Sequence, residues 1–183
     1  SEPFREQPAP AFCSGFLVGK DLIATAGHCI DDDSVCQDTS FVFGFNLNAK
    51  GAVPTEFATD NVYSCKKIIA RTQDETGKDF AIVQLDREVK GRQPLKLRRA
   101  GQLQVGDEIT VVGHPAGIPL KIAGGAKVRS VDTNFFVANL DTYGGNSGSA
   151  VLNLKTGEVE GILVRGEEDF EFKGSCYASK VCN

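Results

Sequence analysis

The sequence predicts an all-β fold, either a sandwich or a barrel, and three observations support this prediction. The apolar residues occur in short runs rich in Val, Ile and Phe, which are too short for helices. Turn-forming Gly, Asn, Asp and Pro separate these runs, and the chain of 183 residues contains 20 glycines. No apolar period of 3.6 residues is sustained, so a helical bundle is disfavoured.

Short candidate strands extend from residue 16 to residue 164. They occupy residues 16–18, 22–25, 41–45, 62–70, 80–85, 109–112, 135–140, 150–152 and 159–164. The prolines of residues 1–12 predict an extended arm before them. The polar stretch between Asp86 and Gly106 is interpreted as a linker, or alternatively as a long surface loop within one sandwich. The linker interpretation divides the chain into residues 1–90 and 91–183.

The composition excludes some classes of partner. The net charge is −4 and the sequence pI is about 5.2, and without a basic stripe this argues against a nucleic-acid partner. No apolar run is long enough to cross a bilayer, so we expect no membrane association. Because methionine is absent even at position 1, we expect Ser1 to be a processed end, with a trimmed chain as the alternative.

A serine between glycines is the first candidate for chemistry. Ser147 lies in the stretch DTYGGNSGS, residues 141–149, where glycines favour a tight turn that exposes the serine hydroxyl. They also let backbone N–H groups come close to a reacting carbonyl. Serine is a poor nucleophile without a base, so the interpretation depends on a histidine and a carboxylate elsewhere in the chain.

Two further motifs supply those groups. In TAGHC, His28 lies at the end of a candidate strand, and a Cys13–Cys29 disulfide would fix the loop that carries it. In DFAIVQL, Asp79 opens an apolar run, where a half-buried carboxylate needs a partner. Asp79 would either cap the preceding turn or accept the Nδ1–H of His28, which would present Nε2 to the serine.

The six cysteines form no CxxC pair and are interpreted as disulfides rather than as a zinc site. Spacing alone does not choose among the possible connectivities. Cys176 and Cys182 are close enough to close a small loop, and by elimination Cys36 would then pair with Cys65. The acidic run at residues 31–33 lacks EF-hand spacing and is expected to be a solvated loop, so no metal is expected.

The blocks TAGHC, DFAIVQL and GGNSGS, in the order His, Asp, Ser, resemble the signatures of the chymotrypsin/trypsin-like serine proteases. The resemblance implies two six-stranded antiparallel Greek-key β-barrels with the active site in the cleft between them. His28, Asp79 and Ser147 would then be catalytic, and the N–H groups of Gly145 and Ser147 would form the oxyanion hole. It implies a secreted enzyme without a cofactor, whose partners are extended polypeptide substrates and protein inhibitors.

The same resemblance proposes the substrate-binding residues. Asp141 lies six residues before Ser147, where trypsins keep the aspartate that binds Lys or Arg, and Thr142 follows it. The edge segment with Leu163, Val164 and Gly166 would pair with the substrate backbone as an added strand. A turn hydrogen bond is the alternative role for Asp141.

The sequence also departs from the animal digestive enzymes. Asn146 replaces the aspartate before the serine, and the GGNSGS form is more similar to the secreted bacterial branch that includes the glutamyl endopeptidases. That branch binds an acidic side chain with a histidine where this chain has Leu163, and His114 is expected to be structural or on the surface. Tyr143 replaces a trypsin cysteine, so its loop must be braced differently. Glutamyl specificity, a narrow toxin-like specificity and a catalytically silent binding homologue are the alternatives to cleavage after Lys and Arg.

Overall fold

Two curled antiparallel sheets form the body of the protein in a computed structural model that describes residues 4–180. One short helix, α1, accompanies the strands. The elements are β1 (Phe16–Leu17), β2 (Leu22–Thr25), α1 (Asp33–Asp38), β3 (Ser40–Val42), β4 (Val62–Gln73), β5 (Asp79–Leu85), β6 (Glu108–Gly113), β7 (Lys121–Val131), β8 (Phe136–Ala138), β9 (Ala150–Asn153), β10 (Val159–Ile162), β11 (Phe170–Phe172) and β12 (Tyr177–Ser179).

The first sheet has the strand order β1-β2-β5-β4-β3, and the second has the order β10-β9-β6-β7-β8. Each therefore contains five strands within residues 4–180, not the six that the family resemblance implied. Strands β11 and β12 pair with each other, with Phe170 opposite Ser179, and join neither of these sheets. All pairings between neighbouring strands are antiparallel.

Each sheet buries its own apolar face. Successive side chains of β5 point to opposite faces of the sheet, so Ala81, Val83 and Leu85 enter the core, where they are at most 1% exposed. In the second sheet Ile109 and Val151 occupy the equivalent place on β6 and β9. These two cores keep β2, β5 and β9 rigid, and the candidate catalytic residues lie at or near the ends of these strands.

Strand β7 is the largest element that the sequence pattern did not predict. Its residues KIAGGAKVRSV contain two glycines and several charges, so no apolar run is visible. Only Ala126 and Val128 are buried, because the outer face of this strand is exposed to solvent. The sequence pattern also did not predict α1, the one α-helix in residues 4–180, because it has only six residues. No helix in that range is long and apolar enough to cross a membrane.

The acidic run at residues 31–33 has structural roles in this region. The Asp32 carboxylate accepts a hydrogen bond from the N–H of Val35 at 2.9 Å and so caps α1. Asp31 forms an ion pair with Arg71 at 2.9 Å. All three aspartates are exposed, as expected for a solvated acidic run, and two of them also make these contacts.

The connection from β5 to β6 passes from the first sheet to the second. Its Leu95 N–H donates to the carbonyl of Leu17 on β1, and its Arg98 N–H donates to the carbonyl of Val159 on β10. The Arg98 guanidinium also pairs with the carboxylate of Glu160, whose side chain is 1% exposed. This path agrees with a linker, although the division at residue 90 stays a prediction.

Two disulfides, Cys13–Cys29 and Cys36–Cys65, lie in the first half of the chain. The first joins the segment before β1 to the end of β2, and the second joins α1 to β4. Cys176 is exposed in the turn between β11 and β12. Its expected partner, Cys182, lies outside the described residues, so that pairing stays a prediction.

Candidate active site

His28 lies in a single turn of 3-10 helix, Gly27–Cys29, directly after β2. The turn packs closely against β4 and the start of β5. A side chain at position 27 would collide with the carbonyl of Thr72 and would come within 3.0 Å of the carbonyl of Phe80. The glycine of TAGHC therefore allows the turn to bring His28 against the first residue of β5.

That first residue is Asp79, and its carboxylate contacts His28 twice. The Nδ1 atom of His28 lies 2.8 Å from Oδ2 of Asp79, and the backbone N–H of His28 donates to Oδ1 at 3.1 Å. The side chain of Asp79 is 11% exposed and that of His28 is 32% exposed. A ring that donates its Nδ1–H to a shielded carboxylate has its Nε2 free to accept a proton.

The Cys13–Cys29 disulfide joins this turn to the loop of Ser147. The sulfur of Cys29 lies 3.8 Å from the carbonyl oxygen of Ser147. A ring nitrogen of His28 and the sulfurs of Cys13 and Cys29 lie within 4.8 Å of one another. Both sulfurs are consumed by the disulfide and are not thiolate ligands, so this cluster positions His28 and Ser147 and does not form a metal site.

Every carbonyl from residue 144 to residue 147 accepts a hydrogen bond. Two of the donors belong to Ser14, which lies beside Cys13 and is 6% exposed. The pairs are Gly144 with the Ala116 N–H at 2.5 Å, Gly145 with the Ser14 hydroxyl at 2.9 Å, Asn146 with the Ser149 N–H at 2.8 Å and Ser147 with the Ser14 N–H at 2.7 Å. These bonds fix the orientation of each peptide group in the loop.

The N–H groups of Gly145 and Ser147 point away from those carbonyls. In a trans peptide the C=O and N–H are opposed, so the bonds made by the carbonyls of Gly144 and Asn146 aim these two N–H groups the other way. Within residues 4–180 neither N–H donates to a protein acceptor. Gly145 has φ +85°, a conformation that side chains disfavour. The loop thus presents two free donors of the kind that bind an oxyanion.

The loop at residues 141–144 is braced by the β11–β12 pair. The hydroxyl of Tyr143 donates to Oγ of Ser179 at 3.0 Å, and the Tyr143 ring packs on Phe170 with a centroid distance of 5.5 Å. Oδ2 of Asp169 accepts the N–H of Gly144 at 2.6 Å. These contacts tie the loop where Tyr143 replaces the trypsin cysteine.

A cleft of about 1770 Å³ extends along both halves of the chain. Asp79 lines it from the first sheet, and Asp141, Thr142 and Leu163 line it from the second half. The Asp141 carboxylate is exposed and accepts no hydrogen bond within residues 4–180, so the turn hydrogen bond proposed as its alternative role is not present. An exposed carboxylate is screened by water until a ligand covers it.

One edge of this cleft has no partner strand. Leu163 exchanges backbone hydrogen bonds with Gly148 and Ser149, but the backbone groups of Val164, Arg165 and Gly166 bond to no other backbone within residues 4–180. Such an edge can accept an extended polypeptide as an additional strand.

His114 has a structural place behind the loop of residues 144–147. Its ring stacks on Phe45 at a centroid distance of 5.6 Å, and its Nδ1 lies 3.0 Å from the carbonyl of Ile118. Its own N–H donates to the hydroxyl of Ser14 at 2.9 Å. Burial lowers the pKa of His114 below 6.5, and this outweighs the hydrogen bond to Ile118, which raises the pKa. The sequence offered no signal for the adjacent turn, in which Ala116 has φ 49° and ψ 21°.

Known proteins resemble this chain in sequence and in fold. A secreted RxLR effector protein of Plasmopara viticola is 31% identical in an alignment 165 positions long, which covers 81% of this chain and 40% of the effector. A glutamyl endopeptidase of Staphylococcus aureus (strain MW2) is 28% identical over 96% of this chain and 53% of the relative. The chain therefore spans about half the length of these curated relatives or less.

A solved structure of a Glu endopeptidase in complex with MPD superimposes with a TM-score of 0.59 and 20% identity, covering 91% of this chain and 84% of that one. This likeness confirms the chymotrypsin-like two-barrel fold. The family model of the trypsin-like peptidase domain matches residues 13–162, which include all three candidate catalytic residues. The chain belongs to the trypsin-like peptidase family.

Proposed function

We propose that this chain is a serine endopeptidase that hydrolyses peptide bonds through Ser147, His28 and Asp79. The observation that carries the proposal is the doubly bonded His28–Asp79 pair, which lies beside a loop with two unoccupied N–H donors. A homologue that only binds peptides would need neither the His28–Asp79 pair nor the two N–H donors. Membership of a peptidase family supports the same reaction class.

In the proposed mechanism the hydroxyl of Ser147 attacks the scissile carbonyl carbon while Nε2 of His28 accepts its proton. The carboxylate of Asp79 holds the ring and stabilises the imidazolium that forms. The N–H groups of Gly145 and Ser147 bind the oxyanion of the tetrahedral intermediate, and each such donor typically contributes a factor of about 10²–10³ in rate. His28 then protonates the leaving amine. In the second half of the reaction water attacks the acyl-enzyme, His28 accepts the proton of the water, and it returns a proton to Ser147 as the acid product leaves.

The proposed substrate is an extended polypeptide that pairs with the open edge at residues 164–166 and carries Lys or Arg before the scissile bond. Support comes from the Asp141 carboxylate, which lines the cleft and has no partner within residues 4–180. A substrate ammonium or guanidinium that covers Asp141 would reduce the screening of that charge. The two disulfides and the secreted relative support an extracellular location.

A second candidate specificity is cleavage after Glu. It is favoured by the similarity of this chain to several glutamyl endopeptidases of Staphylococcus aureus. In this chain no histidine occupies the position of Leu163, and the carboxylate of Asp141 would repel an acidic side chain at close range.

Labelling with a fluorophosphonate probe and cleavage-site profiling on a mixed peptide library test these proposals together. We expect the wild type to be labelled and to cut after Lys and Arg, Ser147→Ala to do neither, and the surface control Ser130→Ala to match the wild type. Asp141→Asn should remain labelled and lose the preference for Lys and Arg. Cleavage after Glu by the wild type would refute the role of Asp141 and retain the triad.

Absence of labelling in a folded wild type would refute the serine mechanism and leave a peptide-binding homologue. Labelling without cleavage of the mixed library would instead indicate a narrow, toxin-like specificity.

A further inference from the structure

Two cations from different halves of the chain line the cleft. Lys78 precedes β5 in the first sheet and Arg165 follows β10 in the second, and both line the cleft together with Asp79. The Arg165 guanidinium lies next to Gly77, since a Cβ placed there would be 3.3 Å from an Arg165 Nη. We call Lys78 and Arg165 the basic corner.

The Arg165 side chain is held in place without a carboxylate. Its guanidinium lies over the ring of Phe135, 5.7 Å from the centroid. Asn134, next to Phe135, donates to the backbone carbonyl of Thr76 at 3.3 Å, so the loop that carries the ring is tied to the turn before β5. This stacking occupies one face of the guanidinium and leaves its N–H edges available to an incoming acceptor.

Neither cation of the basic corner forms an ion pair within residues 4–180. Asp74 is the acidic group electrostatically coupled to Lys78, but its carboxylate already accepts hydrogen bonds from the hydroxyl and the N–H of Thr76. Unpaired cations that line a cleft are free to bind a carboxylate.

The open edge determines which substrate side chains would face the basic corner. A peptide that pairs with residues 164–166 alternates its side chains between two directions. We count substrate residues from the scissile bond toward the N-terminus, so the residue before the bond is the first. Its side chain would point toward Asp141, on the wall of the cleft formed by the second half of the chain. The second and fourth residues upstream would then face the first-half wall, where the Arg165 head group lies against Gly77 beside Lys78.

We infer that the basic corner is a subsite for a glutamate or aspartate carboxylate at the second or fourth residue of the substrate. The inference rests on the proposed peptidase function and adds a second specificity element to it. Exposed Glu167 and Glu168 also line the cleft, so the net field there is not positive and the preference must come from direct contact. Charges farther apart than about 8 Å are largely screened at physiological salt.

Cleavage-site profiling on a randomised peptide library tests the subsite without assuming the residue before the scissile bond. We expect Glu and Asp to be favoured over Gln and Asn by about threefold to tenfold at the second or fourth position, and less at 0.5 M salt than at 0.05 M. Arg165→Gln and Lys78→Gln should each reduce this ratio toward one. Arg99→Gln, an exposed arginine that does not line the cleft, is the matched control and should retain the wild-type ratio.

Different results would refute the acidic subsite and the peptidase function on which it rests. Cleavage by the wild type with no acidic preference at these positions overturns the subsite and leaves the peptidase assignment intact. An acidic preference that survives in both Arg165→Gln and Lys78→Gln also overturns it. If no peptide is cleaved, binding of matched Glu and Gln peptides to the same protein is compared by fluorescence anisotropy, and equal affinities overturn the subsite independently of catalysis.

Discussion

The carbonyl oxygen of Gly144 accepts a hydrogen bond from the backbone N–H of Ala116 at 2.5 Å. This bond holds the Gly144–Gly145 peptide in the orientation that leaves the Gly145 N–H free. Ala116 itself has φ 49°, a left-handed conformation that costs a non-glycine residue on the order of 1–3 kcal/mol. A strained turn elsewhere in the second half of the chain therefore sets the direction of the Gly145 N–H, the proposed oxyanion donor.

Replacement of Gly145 by alanine should abolish this arrangement. The added Cβ would lie 2.7 Å from the N–H nitrogen of Gly117 and 2.8 Å from the carbonyl of His114, so the peptide must move. Loss of one oxyanion donor predicts a fall in kcat of about 10²–10³, with a smaller change in KM. Steady-state kinetics on a peptide that the wild type cleaves measures both constants.

Gly91→Ala is the matched control for backbone strain. Gly91 has φ +72° and nothing lies within 4 Å of a Cβ placed there, so the backbone cost is similar and no contact is made. We expect Gly91→Ala to lose about 1 kcal/mol of stability and no activity. Equal activity of the two variants would show that Gly145 does not supply an oxyanion donor.

Asp169 braces the same loop from the other side, through its hydrogen bond with the N–H of Gly144 at 2.6 Å. Asp169→Ala removes an ionised acceptor, and we expect kcat/KM to fall about threefold to tenfold because Gly144 and its neighbours sample other orientations. The melting temperature should change little, since the Gly144 end of this hydrogen bond is exposed. Glu171→Ala, an exposed acid in the same segment that does not line the cleft, should behave as the wild type, and a matching loss in both variants would contradict the bracing role.

The two disulfides should differ in their effect on catalysis. Their sequence separations are 16 and 29 residues, so loop entropy predicts that Ser replacement of either pair costs about 3 kcal/mol or slightly more. Only Cys13–Cys29 contacts the loop of Ser147, through the sulfur of Cys29. We therefore expect the Cys13→Ser/Cys29→Ser double variant to lose kcat at a temperature where both variants are folded.

Urea unfolding gives the stability of each double variant, and kinetics well below its midpoint gives its activity. The Cys36→Ser/Cys65→Ser variant should retain the wild-type kcat under those conditions. If the two variants have the same kcat, the disulfide next to His28 contributes only to stability.

The sequence predicts those parts of the site that follow from local pattern. His28 and Asp79 flank apolar runs that became β2 and β5, and cross-strand pairing of Thr25 with Ala81 brings the two ends together. The cores are also foreshadowed by the apolar runs, since β5 buries every second residue and β6 buries residues 109–111 in a row. Strand β7 was not predictable because its glycines and charges leave no alternation over most of its length.

The hydrogen bonds that hold the loop of residues 144–147 could not be predicted, for a different reason. The bonds from Ala116 to Gly144 and from Ser14 to Ser147 join backbone groups that are far apart in sequence, and a backbone group carries no residue-specific signal. No local pattern marks Asp169 as a brace, and only the return of β11 beside the loop gives its carboxylate a partner. His114 was expected to be structural or on the surface, and it packs on Phe45 behind the same loop.

His114 should make the stability of the protein depend on pH. Burial lowers its pKa in the folded state below 6.5, nearby Lys121 lowers it further, and the Ile118 hydrogen bond opposes both. The unfolded chain therefore binds more protons than the folded chain as the pH drops below about 6.5. The stability that comes from neutral His114 is complete above that pH and is lost as the pH falls through the folded-state pKa.

Urea unfolding at several pH values from 7.5 to 5 measures the decrease in the wild type and in His114→Phe, which cannot titrate but can still stack on Phe45. Because the two proteins differ only at position 114, the difference between the two curves isolates His114, and we expect a shallower decrease in the variant. Parallel curves would show that His114 binds protons equally in the folded and unfolded states.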